Sequence, residues 1–464
     1  MTILWEFDEK HPRQVSADGT QSWVGVAPRK RPAGTLKDPG DANTLYNPPM
    51  PFSPGLTRRD FVKGMLATPL AAAYSSHASA LPPMKITRVE TVYWKSRNDA
   101  PFWPHWTWLK IDTDAGISGI GETYPRNPVE AAMVHNVAPS LIGRDPRDIE
   151  RIWADLYRTF DFQIAGGTEM RVLSALDLAL WDLLGKSLNA PVYRLIGGKA
   201  NPQVRLYNTC FEYKYDFNKE PEKIMRELID TRGIKAIKIW PFDGAALRNK
   251  NEYITWQDID QALIPVKKLR DTFGDEIEIA IEFHAQWNLT SAIRIAHALE
   301  PYKPMWLEDM LMPGNFDQYH QLAAATSLPL TVGERMAGKM QFERLLESRT
   351  PKYVMFDVTW CGGLTEARKI ATLADAQELP IAPHTAGGPL LFYASTHLTT
   401  ASSNVWIQES CQRFYEHDWP LMLESPIAPK DGFIQVPEEN GFGMRIKPEA
   451  WNHPASIHAI TEHS

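Results

Sequence analysis

The spacing of hydrophobic positions changes character along the chain. Over 85–94 and 106–112 apolar and polar residues alternate as in strands, and Asp114-Ala115-Gly116 marks a turn between strand-like runs. A helical stripe follows at Ile149, Ile152, Trp153 and Leu156, and segment 170–185 is apolar nearly all round. A helix of that second kind is buried between other elements. Together these features predict an α+β domain over roughly 85–200, ending at Gly197-Gly198.

Beyond it, short apolar runs recur at 204–207, 236–239, 277–281, 305–307, 328–332, 353–356, 379–382 and 405–407, separated by amphipathic stretches. One of these stretches holds Leu364, Ala367, Ile370, Leu373 and Ala374 in a 3.6-residue period. Eight strand–helix units predict a (β/α)8-type barrel behind an N-terminal α+β capping domain, with the site at the C-terminal ends of the strands. The expected division is a capping domain over 81–203, a barrel over 204–410 and a C-terminal segment over 411–464.

The N-terminus reads differently. Residues 1–56 carry eight prolines and the basic cluster Arg29-Lys30-Arg31, which predicts a disordered lead. Next, Arg58-Arg59, a modest apolar stretch and Ala78-Ser79-Ala80 form, over 57–80, a pattern similar to a twin-arginine export signal. The expectation is a periplasmic protein without stable membrane association after export, or a cytoplasmic one if the signal is not used. With 49 Lys+Arg against 56 Asp+Glu, a net charge of −7 offers no basic footprint for nucleic acid. Cys210, Cys361 and Cys411 lie far apart and read as buried thiols rather than a disulfide or zinc framework.

The residues ending the strand runs carry the chemistry: Lys238 and Trp240, Glu282 and His284, Glu308, Glu334, Asp357, His384 and Glu409. From Glu282 onward the ionisable ones recur about every 25 residues, once per barrel unit. Glu282, Glu308 and Glu334 on neighbouring strands repel one another unless a cation lies among them, and an all-oxygen set points to one Mg²⁺ per subunit. The competing reading for these glutamates is a rim of salt bridges, to which Arg335 beside Glu334 contributes. Asp357 is placed to orient His384 as a general base, and a period of two from Glu282 aims His284 at the same cavity as a general acid. Clustering of three glutamates on strands three to five, with histidine on strand seven, argues against the paired carboxylates of a glycosidase. His297, His320, His397 and His417 read as core or surface residues.

Leu307-Glu308-Asp309, Val332-Gly333-Glu334-Arg335, Asp357 followed by Cys361-Gly362-Gly363-Leu364-Thr365-Glu366-Ala367, and Pro383-His384 together resemble the mandelate racemase and muconate-lactonising group of the enolase superfamily. The resemblance spans about 85–447 and implies a C-terminal stretch from Asp431-Gly432-Phe433 to Met444 that returns to the cap. It also implies abstraction of the proton α to a carboxylate, with Mg²⁺ on Glu282, Glu308 and Glu334, the base dyad Asp357–His384, and Glu409 as a donor to the enolate. Lys238 matches the first lysine of the group's K-x-K, while Trp240 stands at the second. That replacement makes the chain most similar to the acid-sugar dehydratases, in which the third-strand histidine protonates the departing hydroxyl.

Two departures stand out: Glu282 where the group usually has Asp, and Met310 where proline is common. Loops 101–106 and 160–163 are candidate lids, and Trp240, Trp287, Asn288, Arg335 and His105 are candidate substrate contacts. The expected reaction is dehydration of an acid sugar to a 2-keto-3-deoxy acid. The alternatives are a racemase or epimerase using His384 and His284, and a periplasmic sugar-acid binding protein without turnover. The expected partners are a small carboxylate substrate and further copies of the chain.

Overall fold

The computed structural model describes residues 82–94, 106–124, 127–160, 166–211 and 213–462. Residues 1–56, the 57–80 segment expected to be an export signal, most of both candidate lid loops and His105 lie outside the described residues. Of the lid candidates, Trp106 and Phe160 are described, and both are core residues at 1% and 7% exposure.

The N-terminal sheet contains β1 (Ile86–Trp94), β2 (Thr107–Thr113) and β3 (Ser118–Thr123), all antiparallel. Three helices follow: α1 (Asn127–Val137), α2 (Ile149–Thr159) and α3 (Thr168–Ser187). The sequence pattern gave no sign of α1. Ile149, Ile152, Trp153 and Leu156 form the buried stripe of α2, and α3 is buried on almost every face. It lies very close to β3: a Cβ on Gly121 would stand 2.0 Å from Ala175 O, so only glycine fits there.

The barrel strands are β4 (Val204–Thr209), β5 (Ala236–Ile239), β6 (Glu278–Glu282), β7 (Trp306–Glu308), β8 (Leu330–Val332), β9 (Tyr353–Val354) and β10 (Gln408–Ser410). Each pairs in parallel with its neighbour from β4 to β9, and β10 pairs with β4. The run expected at 379–382 is not a continuous strand. Single parallel bridges, Val354↔Ile381, Asp357↔His384 and Ile381↔Val405, close the ring instead. Pro380 lies within that segment and Pro383 directly follows it, and neither has an N–H to give a ladder. The eighth strand likewise begins at Gln408, with Val405 making only a bridge.

Inside the ring, Ala236, Ala280 and Ala382 leave room for Tyr207, Trp306, Met355 and Ile407, and these residues pack as one interior cluster. The positions two residues on are Lys238, Glu282, His384, Thr209, Glu308, Asp357 and Glu409. Because successive side chains alternate across a strand, a filled apolar layer carries a polar layer directly above it on the inward face.

Buried cap carboxylates join the cap to the barrel. Asp177 on α3 accepts from Thr365 N at 3.0 Å, at the start of α10 (Gly363–Asp375) once α4 (Pro221–Arg232), α5 (Asp243–Arg248), α6 (Trp256–Phe273), α7 (Leu289–Leu299), α8 (Phe316–Ala325) and α9 (Lys339–Glu347) are counted. Glu122 accepts from Leu390 N and Leu391 N at the start of α11 (Pro389–Ala401), at 3.2 and 3.1 Å, and from the Trp108 indole at 3.0 Å. Both carboxylates satisfy helix-terminal N–H groups that would otherwise be orphaned.

The C-terminal segment has two destinations. β11 (Phe433–Ile434) pairs antiparallel with β4 of the barrel, so this part of the stretch expected to return to the cap lies on the barrel. Further on, Phe442 N donates to Asp182 in α3 at 2.9 Å, and β12 (Ser456–Glu462) pairs with β1 as the outer strand of the cap sheet. Among the described residues no helix is long and apolar enough to cross a membrane. All three cysteines are buried and free.

Candidate active site

The polar layer above the barrel interior brings Glu282, Glu308 and Glu334 together with one oxygen of each within 4.8 Å of the others, all three buried. Glu308 ends β7 with both oxygens partnered, Oε2 by the Trp306 indole at 2.8 Å and Oε1 by Lys238 Nζ at 2.6 Å. Glu282 ends β6 and curls back: its Oε1 accepts from Phe283 N at 2.9 Å and from His284 N. The extra methylene that distinguishes it from aspartate permits this curl. Its Oε2 is buried without a hydrogen-bond donor and lies 3.7 Å from Lys238 Nζ.

Burial, with repulsion from Glu334 added, pushes the Glu282 carboxyl up to about 8, and Glu308 is raised well above the usual carboxylate range for the same kinds of reason. Three buried carboxyls at this separation, one with an orphaned oxygen, fit a divalent cation with oxygen ligands. Asp309 follows in a left-handed conformation (φ 44°), its Oδ1 accepting from Gly333 N and its Oδ2 3.7 Å from Arg335 Nε.

The second cluster is built on His384. Its Nδ1 lies 2.8 Å from Asp357 Oδ2, while Asp357 Oδ1 accepts from Thr359 N at 2.7 Å and Thr359 Oγ1 at 2.6 Å. With every Asp357 oxygen committed as an acceptor, Nδ1 of the imidazole carries hydrogen, and Nε2 turns toward Glu334, 3.2 Å away. Burial lowers the affinity of His384 for a proton, but Glu409, Glu334 and Asp357 outweigh it and hold the pKa at about 9. Trp360 covers the ring at 5.5 Å and itself lies under the Arg171 guanidinium.

Glu409 differs from the role implied by the family resemblance. Its Oε2 accepts from Thr385 N at 2.6 Å and Ala386 N at 3.1 Å, and its Oε1 accepts from Lys238 and Thr209. Burial raises its pKa, but Lys238, His384 and Thr209 bring it down to about 2. So many donors make it an anion and an acceptor, not a donor to an enolate. Lys238 is the shared cation of Glu308, Glu409 and Glu282.

The remaining expectations divide. His284 does not follow the strand pleat: β6 stops at Glu282, and His284 and Ala285 take left-handed conformations (φ 51° and 58°). Its Nδ1 is held 2.6 Å from Asp243 Oδ2, and its ring lies edge-on to Trp240 at 5.8 Å. Trp240 also packs on Phe217 and Phe211, so it forms an aromatic wall beside His284.

Asn288, expected to contact substrate, serves the local fold. Its Oδ1 caps α7 through Ser291 N at 3.0 Å and its Nδ2 donates to Glu252 O, so each end of the amide has a backbone partner. Trp287 is packed in the core at 4% exposure. Arg335 pairs with Glu334 at 3.1 Å, as the salt-bridge reading of the rim had it. His397 is a core residue. Asp243, Asp309 and Thr359 were missed as site residues, and only Asp309 stood inside a motif, Leu307-Glu308-Asp309.

The chain has counterparts among known proteins. Residues 104–197 match the N-terminal domain family of mandelate racemase and muconate lactonizing enzyme, and 222–450 match the enolase C-terminal domain-like family. The chain belongs to this enolase-superfamily group. A D-galactonate dehydratase of Ralstonia nicotianae is 33% identical over 374 residues, covering 78% of this chain and 92% of that protein. A D-galactonate dehydratase of Xanthomonas euvesicatoria pv. vesicatoria is 31% identical over 394 residues, covering 81% and 98%. Among solved structures, an enolase of the mandelate racemase subgroup from Agrobacterium tumefaciens shares 36% identity with a TM-score of 0.74, covering 82% of this chain and 99% of its own. An enolase protein from Sargasso Sea environmental sequence shares 31% at a TM-score of 0.76, covering 82% and 100%. Within the family the chain groups with the dehydratases, the hydro-lyase class.

Proposed function

We propose that this protein is a Mg²⁺-dependent acid-sugar dehydratase, removing water from an aldonate of the galactonate type to give a 2-keto-3-deoxy acid. The observation that carries the reading is the Asp357-oriented His384 beside the buried triad Glu282, Glu308 and Glu334. The triad would hold the cation, which when bound supplies positive charge against the substrate carboxylate as electron density builds there.

His384 Nε2 takes the proton α to the carboxylate, and Asp357 stabilises the imidazolium through Nδ1. His284 gives a proton to the departing 3-hydroxyl as the C3–O bond breaks. The resulting enol takes up a proton at C3 and becomes the keto acid, so the net change is loss of one water. Lys238 balances the charge of Glu308 and Glu409 beneath the reacting groups.

The test is product analysis by NMR after incubation with D-galactonate and a panel of other acid sugars, with and without Mg²⁺. A 2-keto-3-deoxy acid formed only with metal supports the reading. Inversion at the α carbon without loss of water favours a racemase, and tight binding with neither reaction favours a binding protein. We further propose export to the periplasm through the Arg58-Arg59 signal, tested by fractionating cells that express the chain with Arg58 and Arg59 changed to lysine. Assembly into a homo-oligomer is expected as well, and sedimentation velocity measures it.

A further inference from the structure

His284 stands at a place where the backbone alone would not aim it. Two successive non-glycine residues, His284 and Ala285, hold left-handed conformations. Such conformations persist when surrounding contacts fix them. Here the backbone is tied on both sides: Ala285 N donates to Asp309 O at 2.6 Å, Gln286 N donates to Phe283 O at 3.1 Å, and His284 N donates to Glu282. These bonds place the Cα but leave the ring free to rotate. Two contacts from the loop after β5 take that freedom away. Asp243 Oδ2 meets Nδ1 at 2.6 Å, and the Trp240 ring lies against the imidazole at an interplanar angle of 72°.

A carboxylate facing Nδ1 at that distance is an acceptor, so it selects the form with hydrogen on Nδ1 and directs Nε2 away from Asp243. Asp357 does the same to His384 at 2.8 Å. The barrel mouth therefore holds two Asp–His pairs. In each, an aspartate hydrogen-bonds Nδ1 and an indole packs on the ring: Asp243 and Trp240 for His284, Asp357 and Trp360 for His384.

The pairs differ in exposure. The His384 side chain is 6% exposed and Asp357 is fully buried, whereas the His284 side chain is 33% exposed and Asp243 20%. Asp243 also lines a cavity of about 710 Å³ shared with Trp240, Phe217, Arg248 and Arg413.

We propose that Asp243 is a positioning residue for the dehydration step: it holds the Nδ1–H of His284 and so orients the ring, with the Nε2–H of the protonated imidazole facing the departing hydroxyl. This rests on the dehydratase reading above. Asp243 touches no substrate in this account and acts through His284 alone. Trp240, standing where the family resemblance leads one to expect a second lysine, is the other half of the device, because its ring braces the imidazole from the side.

The test compares wild type with Asp243→Asn, Asp243→Glu, His284→Asn and the Asp243→Asn/His284→Asn double variant. Each is assayed in D₂O with Mg²⁺ for α-proton exchange and for water loss separately. The expected result for Asp243→Asn is a fall of about 10²-fold or more in kcat for water loss, with KM little changed and α-proton exchange by His384 retained. The double variant should be no slower than His284→Asn, and Asp243→Glu should recover part of the rate. Long-range ¹H–¹⁵N spectra of the imidazoles, which need no substrate, should show the Nδ1–H form of His284 in wild type and a mixture in Asp243→Asn.

Equal loss of exchange and elimination in Asp243→Asn, an additive double variant, or an unchanged tautomer would overturn the proposal. Wild-type protein that exchanges the α-proton of a substrate and never eliminates water would overturn the dehydratase reading itself. Wild type that eliminates water alongside an equally active Asp243→Asn would overturn this proposal alone.

Discussion

Lys238 Nζ lies 2.6 Å from Oε1 of Glu308, and the same ammonium reaches Glu409 at 2.9 Å and Glu282 at 3.7 Å. One cation, 3% exposed, is thus shared by two glutamates of the triad and the anionic Glu409. Glu308 and Glu409 raise its pKa well above the ordinary lysine value against the opposing effect of burial. Removing one partner from a buried ion cluster leaves the others uncompensated. Lys238→Met is therefore expected to lose about 3–5 kcal/mol of stability in metal-free buffer. Mg²⁺ should restore part of that loss and raise the melting temperature of the variant more than that of wild type. Thermal denaturation in chelator and in Mg²⁺ checks both expectations.

Asp357 has no exposed surface and orients His384 through its Nδ1–H. Asp357→Asn keeps the shape but can offer a donor where an acceptor is required. Its expected effect is a fall in kcat of about 10²- to 10⁴-fold with little change in KM, read from steady-state rates on the substrate found in the product screen. Thr359→Val, which removes the hydroxyl bond to Asp357 Oδ1, should give a smaller loss in the same direction.

The cap and barrel meet at Glu122, whose carboxylate serves two backbone N–H groups of α11 and the Trp108 indole. Glu122→Ala leaves those buried donors unpaired, at about 1–3 kcal/mol each before relaxation. Urea denaturation should show a loss of several kcal/mol, and Glu122→Gln should retain part of it by keeping one acceptor oxygen.

His397 sets an acid limit on stability. Burial depresses its pKa to about 3, its Nδ1 accepts from Tyr193 N at 3.0 Å, and its Nε2 faces Phe442 O at 3.2 Å. The unfolded chain binds a proton at this residue below about 6.5, and the folded chain does so only near 3. The contribution is therefore complete above about 6.5 and is lost as pH falls toward 3, with a slope approaching 1.4 kcal/mol per pH unit. His397→Asn should flatten the pH dependence of unfolding free energy between pH 6 and 4. An unchanged slope would contradict this assignment.

Much of this architecture could be read from the chain because the signals were periodic. Apolar runs with β-branched residues marked β4 to β8, and the residue following each run lies at the rim because the strand pleat has a period of two. The pattern failed where periodicity and hydrogen bonding part company. Segment 379–382 has a strand-like apolar run, but Pro380 within it and Pro383 just after it limit it to single bridges. α1 has no clear apolar stripe and was not expected. Asn288 carries a helix-start signal, Asn-Leu-Thr-Ser, that outweighs its nearness to the site. Asp243 is 41 residues from His284 and belongs to another loop, so only the folded barrel brings them together.

The central claim is that His384 removes the proton α to the substrate carboxylate while Glu282, Glu308 and Glu334 hold a divalent cation. The most direct measurement follows the α-proton signal of the identified substrate by NMR in D₂O, using wild type with Mg²⁺, wild type stripped of metal, and His384→Asn with Mg²⁺. The account expects loss of the signal, with a 2-keto-3-deoxy product, in the first sample alone. Equal loss in His384→Asn or in metal-free protein, or product formed with the α-proton retained, would contradict it.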